Sequence, residues 1–276
     1  MTAAAADLKA CCAAAYASPV ATWLLGTRFH PGGSALTERL IRALGVGPGE
    51  TVADIACGPG ESTLQVARTT GAQVIGIDLS SDSISAARRA AERASLEAPV
   101  EFIVADAEAL PLEDGAADGV LCECSLCTFP DKRQAAAEIF RILKPGGRLA
   151  LSDVIAEPER LPASLRTLEA RVACLADARP LPGLVELLGG AGLAVERAER
   201  HDDALGRLLD RVDARLRLAR LASDWEAGSI ERGIELVAAA RESLELGILG
   251  YAVVVARRPA AGPGATSGRV IASDHL

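Results

Sequence analysis

Thr51-Val-Ala-Asp-Ile-Ala-Cys-Gly-Pro-Gly-Glu61 is the stretch that decides the fold. Val52 to Ala56 is a short apolar run that reads as a buried strand. Gly58-Pro59-Gly60 reads as a turn, and Ser62 to Arg68 has helical spacing. Strand, glycine turn and helix in that order open a nucleotide-binding α/β unit. The glycines let the backbone approach a ligand without a Cβ clash. Working outward, strand-like runs recur at 73–78, 100–105, 117–122, 148–154 and 251–256, with a weaker one at 193–197. A helix is expected from Leu36 to Leu44, closed by Gly45, another from Ser80 or Ser81 to Leu96, and a third over 131–143. Such alternation predicts a parallel sheet with both faces covered.

Asp54, inside the first strand, sets the kind of ligand. A dinucleotide site offers bare N–H groups and a helix N-terminus to a pyrophosphate, which a carboxylate there would repel. Thr63 holds the position of a third glycine. A ligand with a cationic amine and no phosphate, such as S-adenosylmethionine, suits this strand end better. Val74 to Asp78 ends a second strand in an acid, placed to accept both hydroxyls of a ribose. Ligands of open α/β sheets bind beyond the carboxyl ends of the strands. Asp54, Gly58, Gly60, Asp78, Asp106 and Glu123 all fall at such ends.

Asp54-x-x-x-Gly58-x-Gly60, Asp78, Asp106 and Lys144-Pro-Gly-Gly147 together resemble class I S-adenosylmethionine-dependent methyltransferases, over roughly residues 36 to 200. Ala56 stands where the family has its first motif glycine. The resemblance implies an α/β, Rossmann-like sheet of seven strands, mostly parallel, with the last strand antiparallel and helices on both faces. It implies S-adenosylmethionine as cofactor, held by Asp54, Ala56, Gly58, Gly60, Asp78, Leu79, Asp106, Ala107 and Glu123. Asp106 and Ala107 then meet the adenine, and the end of the fourth strand faces the methyl group and a small-molecule substrate.

That end reads Leu121-Cys-Glu-Cys-Ser-Leu-Cys127, with three of the chain's seven cysteines. Alternation would set Cys122 and Cys124 on one side if the strand persists. A zinc half site is one reading, but structural zinc usually recruits a second pair. A narrower resemblance is to arsenite methyltransferases. It is carried by Cys124 six residues before Pro130-Asp131-Lys132, then Ser152-Asp153-Val154, then Cys174. It implies Cys124 and Cys174 as thiolate ligands to substrate arsenic(III), with Cys12 or Cys11 completing the set and a thiol reductant of the glutathione or thioredoxin type as partner. Soft arsenic suits thiolates, and its lone pair can attack the sulfonium methyl without a base. Cys124 and Cys174 are then expected to converge beyond strands four and five, while Cys57 reads as packing. The rival readings are methylation of a small organic acceptor at O, N or C, with His30 or Glu123 in catalysis, and a non-catalytic thiol-rich metalloid-binding protein.

Composition narrows the partners. A net charge of −8 argues against nucleic acid or an anionic membrane surface. No apolar run approaches the ~20 residues of a membrane span, and the N-terminus lacks the pattern of a signal peptide. The cysteines should mostly be thiols, and a cytoplasmic location is expected. Three regions are expected: a helical cap or lid over 1–35, a methyltransferase domain over 36–259 and a loose tail over 260–276. Helical stripes around 160–246 form the substrate side of the second, inserted before the last strand.

Overall fold

The computed structural model describes residues 3–167, 177–221 and 227–260. Helices α1 (Ala3–Tyr16) and α2 (Pro19–Leu25) lead into α3 (Gly33–Leu44). Ser18 caps α2 by accepting from the Ala21 N–H, with Pro19 at the first helical position. The stripe Leu36, Leu40, Ile41 and Leu44 buries one face of α3, and Gly45 ends it at φ 69°. Then come β1 (Thr51–Ile55), α4 (Glu61–Thr70), β2 (Gln73–Asp78), α5 (Ser81–Arg93), β3 (Val100–Val104) and β4 (Ala117–Glu123). Next are α6 (Lys132–Ile142), β5 (Leu143–Ala156), α7 (Leu181–Gly190) and β6 (Ala194–Arg200). Last are α8 (Asp202–Leu221), α9 (Ala227–Glu245) and β7 (Leu249–Arg257).

These strands form one sheet in the order β3-β2-β1-β4-β5-β7-β6. β1 to β5 are parallel, and β7 runs antiparallel to both β5 and β6. The chain winds outward from β1 to β3, then crosses back to lay β4 on the other side of β1. That reversal opens a crevice beyond the carboxyl ends of β1 and β4. Both faces are covered. Leu40, Val52, Val74, Leu121 and Tyr251 pack on one, and Ile55, Ile77, Val120, Ile139 and Leu149 on the other. No described helix is long and apolar enough to cross a membrane.

Several boundaries differ from the sequence expectation, each for a local reason. β5 begins at Leu143, not Arg148, because Lys144-Pro-Gly-Gly147 is a bulge within the strand. A Cβ on Gly147 would sit 2.8 Å from the Asp118 carbonyl oxygen, and Lys144 Nζ reaches both Asp118 carboxylate oxygens at 2.8 Å. This motif therefore ties β5 to β4. α5 stops at Arg93, three residues short of Leu96, where Ala94 turns to extended backbone and its N–H bonds the Ala91 carbonyl. Within the region of helical stripes expected around 160–246, Ala163–Arg166 is a 3₁₀ turn and 168–176 lie outside the described residues, as do 261–276.

Candidate active site

The crevice is lined by the ends of β1 to β4 and roofed by α1 and the segment after α2. Asp54, at the end of β1, is only 2% exposed and accepts from Thr63 Oγ1 at 2.6 Å. The residue in place of a third glycine is thus the one that orients the acid. Burial pushes the Asp54 carboxyl up to about 8, with the Glu123 and Asp78 charges adding to it. The carboxylate that reads as a fixed charge in the sequence is therefore proton-bearing at neutral pH until a cation pairs with it.

The glycine turn begins at Ala56, left-handed at φ 57°, where the family pattern has glycine. Gly58 lines the crevice, but Gly60 does not. A Cβ on Gly60 would stand 2.9 Å from Ala87 Cβ and 3.0 Å from the Phe102 ring. Its missing Cβ thus admits α5 and β3 against the turn. Cys57 packs with Leu64, Ile84 and Phe102, and burial raises its thiol.

Asp78, at the tip of β2, accepts from the Gly58 N–H and the Ser80 N–H, both at 2.8 Å. Two backbone donors fix the carboxylate and leave each oxygen a lone pair for a ligand. Leu79 and Ala107 line the crevice beside it. Asp106 accepts from the Glu108 N–H at 2.9 Å and from Lys9 Nζ at 2.6 Å. Lys9 also reaches Glu108 at 2.6 Å, so α1 is tied across the β3 end.

β4 ends at Glu123, which is buried and accepts from Thr37 Oγ1 at 3.0 Å. His30 is buried beside it. Its Nδ1 is 3.6 Å from Glu123 Oε1 and 3.2 Å from the Pro31 carbonyl oxygen. Its Nε2 lies 3.5 Å from Thr37 Oγ1. His30, offered by the sequence only under the rival reading of an organic acceptor, lines the crevice.

The cysteines separate. Cys124 adopts φ 52°, so the strand does not persist and alternation fails. Cys122 is buried on one face of the sheet, with Sγ 3.2 Å from Ser125 Oγ, whereas Cys124 packs against the other. Cys127 is buried, its N–H donated to Asp153. Cys12 is buried and lines the crevice. Cys11 is exposed and does not, because neighbours on a helix point about 100° apart. Cys174 lies outside the described residues. Among those described, no three His, Cys, Asp or Glu side chains group as a metal site.

Tyr16, Phe29 and Cys124 also line a second cavity of about 440 Å³, walled by α2, α8 and α9. Leu24, Leu205, Leu209, Val212, Ile230 and Val237 give it an apolar surface, and among the described residues no charged side chain lines it. Arg215 Nη1 donates to the Leu24 carbonyl at 2.8 Å and so fastens α2 over α8.

The crevice's donor set fits S-adenosylmethionine. A backbone-fixed carboxylate suits two ribose hydroxyls, and a buried acid without a cation suits the positive end. Linkage then gives an expected result. Binding a cation lowers the Asp54 pKa from about 8, so binding releases a proton below that pH. Cofactor affinity should rise with pH, by up to about tenfold per unit, between pH 6 and 8 and then level off. Stability of the free protein moves oppositely. The folded state keeps a proton that the unfolded state sheds, so this contribution falls from about pH 4 to 8. Calorimetry in buffers of different ionisation enthalpy measures the proton directly, and a flat profile without proton release excludes this role.

A family model described as a methyltransferase domain matches residues 53–151. The 27-O-demethylrifamycin SV methyltransferase of Amycolatopsis mediterranei is 31% identical over 239 residues, covering 81% of this chain and 83% of its own. An arsenite methyltransferase of Halobacterium salinarum is 29% identical, over 65% of this chain and 43% of its own. Other curated methyltransferases match at 35–38% identity, and the aligned part spans less than half of their length. Among solved structures, the cyclase SpnF superposes with a TM-score of 0.69 at 25% identity, covering 82% of this chain and 80% of that one. Fold, site geometry and a relative matched over four fifths of both chains agree: this chain belongs to the class I S-adenosylmethionine-dependent methyltransferases.

Proposed function

We propose that the protein transfers the methyl group of S-adenosylmethionine to a hydroxyl of an uncharged, largely apolar small molecule, with His30 as general base. The observation that carries this reading is the apolar cavity of about 440 Å³ that meets the crevice at Tyr16, Phe29 and Cys124. Its size is that of a small-molecule site, and its described lining residues carry no charge to pair with a charged acceptor. The cofactor supplies an electrophilic methyl on a sulfonium. His30 takes the acceptor's proton as the O–CH₃ bond forms and the S–CH₃ bond breaks, the bonding pair staying on sulfur. The resulting imidazolium lies 3.6 Å from Glu123, whose carboxylate stabilises it. The relative matched over 83% of its length is named for an O-demethyl acceptor, which supports transfer to oxygen.

Nile red, an uncharged apolar fluorophore, tests the cavity without knowledge of the acceptor. The wild-type protein should bind it saturably, one per chain, and Val212→Trp should abolish binding while cofactor affinity stays within twofold. Equal binding by both proteins contradicts the assignment.

A second reading, methylation of arsenite with a thiol reductant as partner, is favoured by Cys12 and Cys124, which both line the crevice. Its third thiol is expected from Cys174. On that reading Cys12→Ser and Cys124→Ser each remove arsenite methylation, and Val212→Trp leaves it intact.

A further inference from the structure

Among the described residues, one cationic nitrogen in the crevice is buried and has no hydrogen-bond partner. It is Nη1 of Arg28, in the segment between α2 and α3, and Nη2 of the same side chain stands 3.7 Å from Glu61 Oε2. The guanidinium lines the crevice together with Thr27, Phe29 and His30. Five acids line it too: Asp54, Glu61, Asp78, Asp106 and Glu123. Against such a wall an anionic group needs a cation with a donor to spare. Lys9 is already committed to Asp106 and Glu108, and the Gly58 N–H is committed to Asp78. S-adenosylmethionine carries one anionic group, the carboxylate of its amino-acid end.

The order of the strands gives that carboxylate a place. Asp106 stands at the end of β3 and Asp78 at the end of β2. Arg28 meets Glu61 at the start of α4, which follows β1. Adenine, ribose and amino-acid end thus follow β3, β2 and β1 across the crevice. The N-terminus of α4 adds partial positive charge at the third place.

We infer that Arg28 binds the carboxylate of the cofactor through Nη1, a role that rests on the cofactor assignment and is independent of the acceptor. A guanidinium matches a planar carboxylate in a way that an ammonium does not.

Calorimetry with two ligands tests the assignment without turnover. S-adenosylhomocysteine has the amino-acid end, whereas 5′-methylthioadenosine keeps adenine, ribose and thioether but lacks it. Arg28→Met should weaken S-adenosylhomocysteine at least tenfold and leave 5′-methylthioadenosine within twofold. Arg28→Lys should recover part of the loss. Equal weakening of both ligands, with no recovery in Arg28→Lys, would make Arg28 structural and overturn the inference. No change in either ligand overturns it as well. A wild-type protein that binds neither ligand removes the cofactor assignment itself, a failure distinct from these.

Discussion

His30→Ala should lower kcat for a hydroxylated acceptor by about 10²–10⁴-fold, the usual contribution of a general base. Cofactor affinity should stay within twofold, because His30 faces Glu123 and Thr37. Two observations support so large an effect. The imidazole is buried, so bulk water cannot readily replace it as proton acceptor, and it is held on one side by the Pro31 carbonyl. Glu123→Gln removes only the counter-charge to the imidazolium and should cost less than His30→Ala. A kcat unchanged in a folded His30→Ala would assign proton removal elsewhere.

The second large effect is on binding. Asp78→Ala should weaken the cofactor by about 10²–10⁴-fold, since two hydrogen bonds to a charged acceptor contribute about 1.5–3 kcal/mol each. Part of that loss has another origin. Asp78 also holds the Gly58 and Ser80 N–H groups, so its removal loosens the turn. Asp78→Asn, which retains an acceptor for one of them, separates the two contributions. If the turn alone matters, Asn restores most of the affinity; if the ribose contact matters, Asn remains at least tenfold weaker than Asp. Calorimetric affinity equal to wild type in Asp78→Ala contradicts the ribose assignment.

Much of the fold was legible because it is written in local patterns. Val52 to Ile55 and Tyr251 to Ala256 are apolar runs buried on both faces of the sheet, and such runs read as strands without tertiary knowledge. The acids at the strand tips were legible too, because the chain must end each strand where the crevice lies. What was not legible depends on packing between distant segments. Lys9 and Arg28 look in sequence like charges on a solvated face, and only the placement of α1 and the α2–α3 segment brings them into the crevice. His30 meets Glu123 through the docking of that segment on β4, for which no sequence spacing gives notice. Gly60 read as a ligand-approach glycine because sequence cannot tell which neighbour comes close, and here it is Phe102. Cys122 and Cys124 were expected on one side from a period that holds only while a strand continues. The left-handed residue at Cys124 ends it.

Transfer of labelled methyl from S-adenosylmethionine, run in parallel on a panel of uncharged hydroxylated acceptors and on arsenite with glutathione or thioredoxin, tests the central claim most directly. The account predicts an O-methyl product that is retained in a Cys12→Ser, Cys124→Ser double variant and lost in His30→Ala. Methylated arsenic that is lost in the double variant and retained in His30→Ala would contradict it.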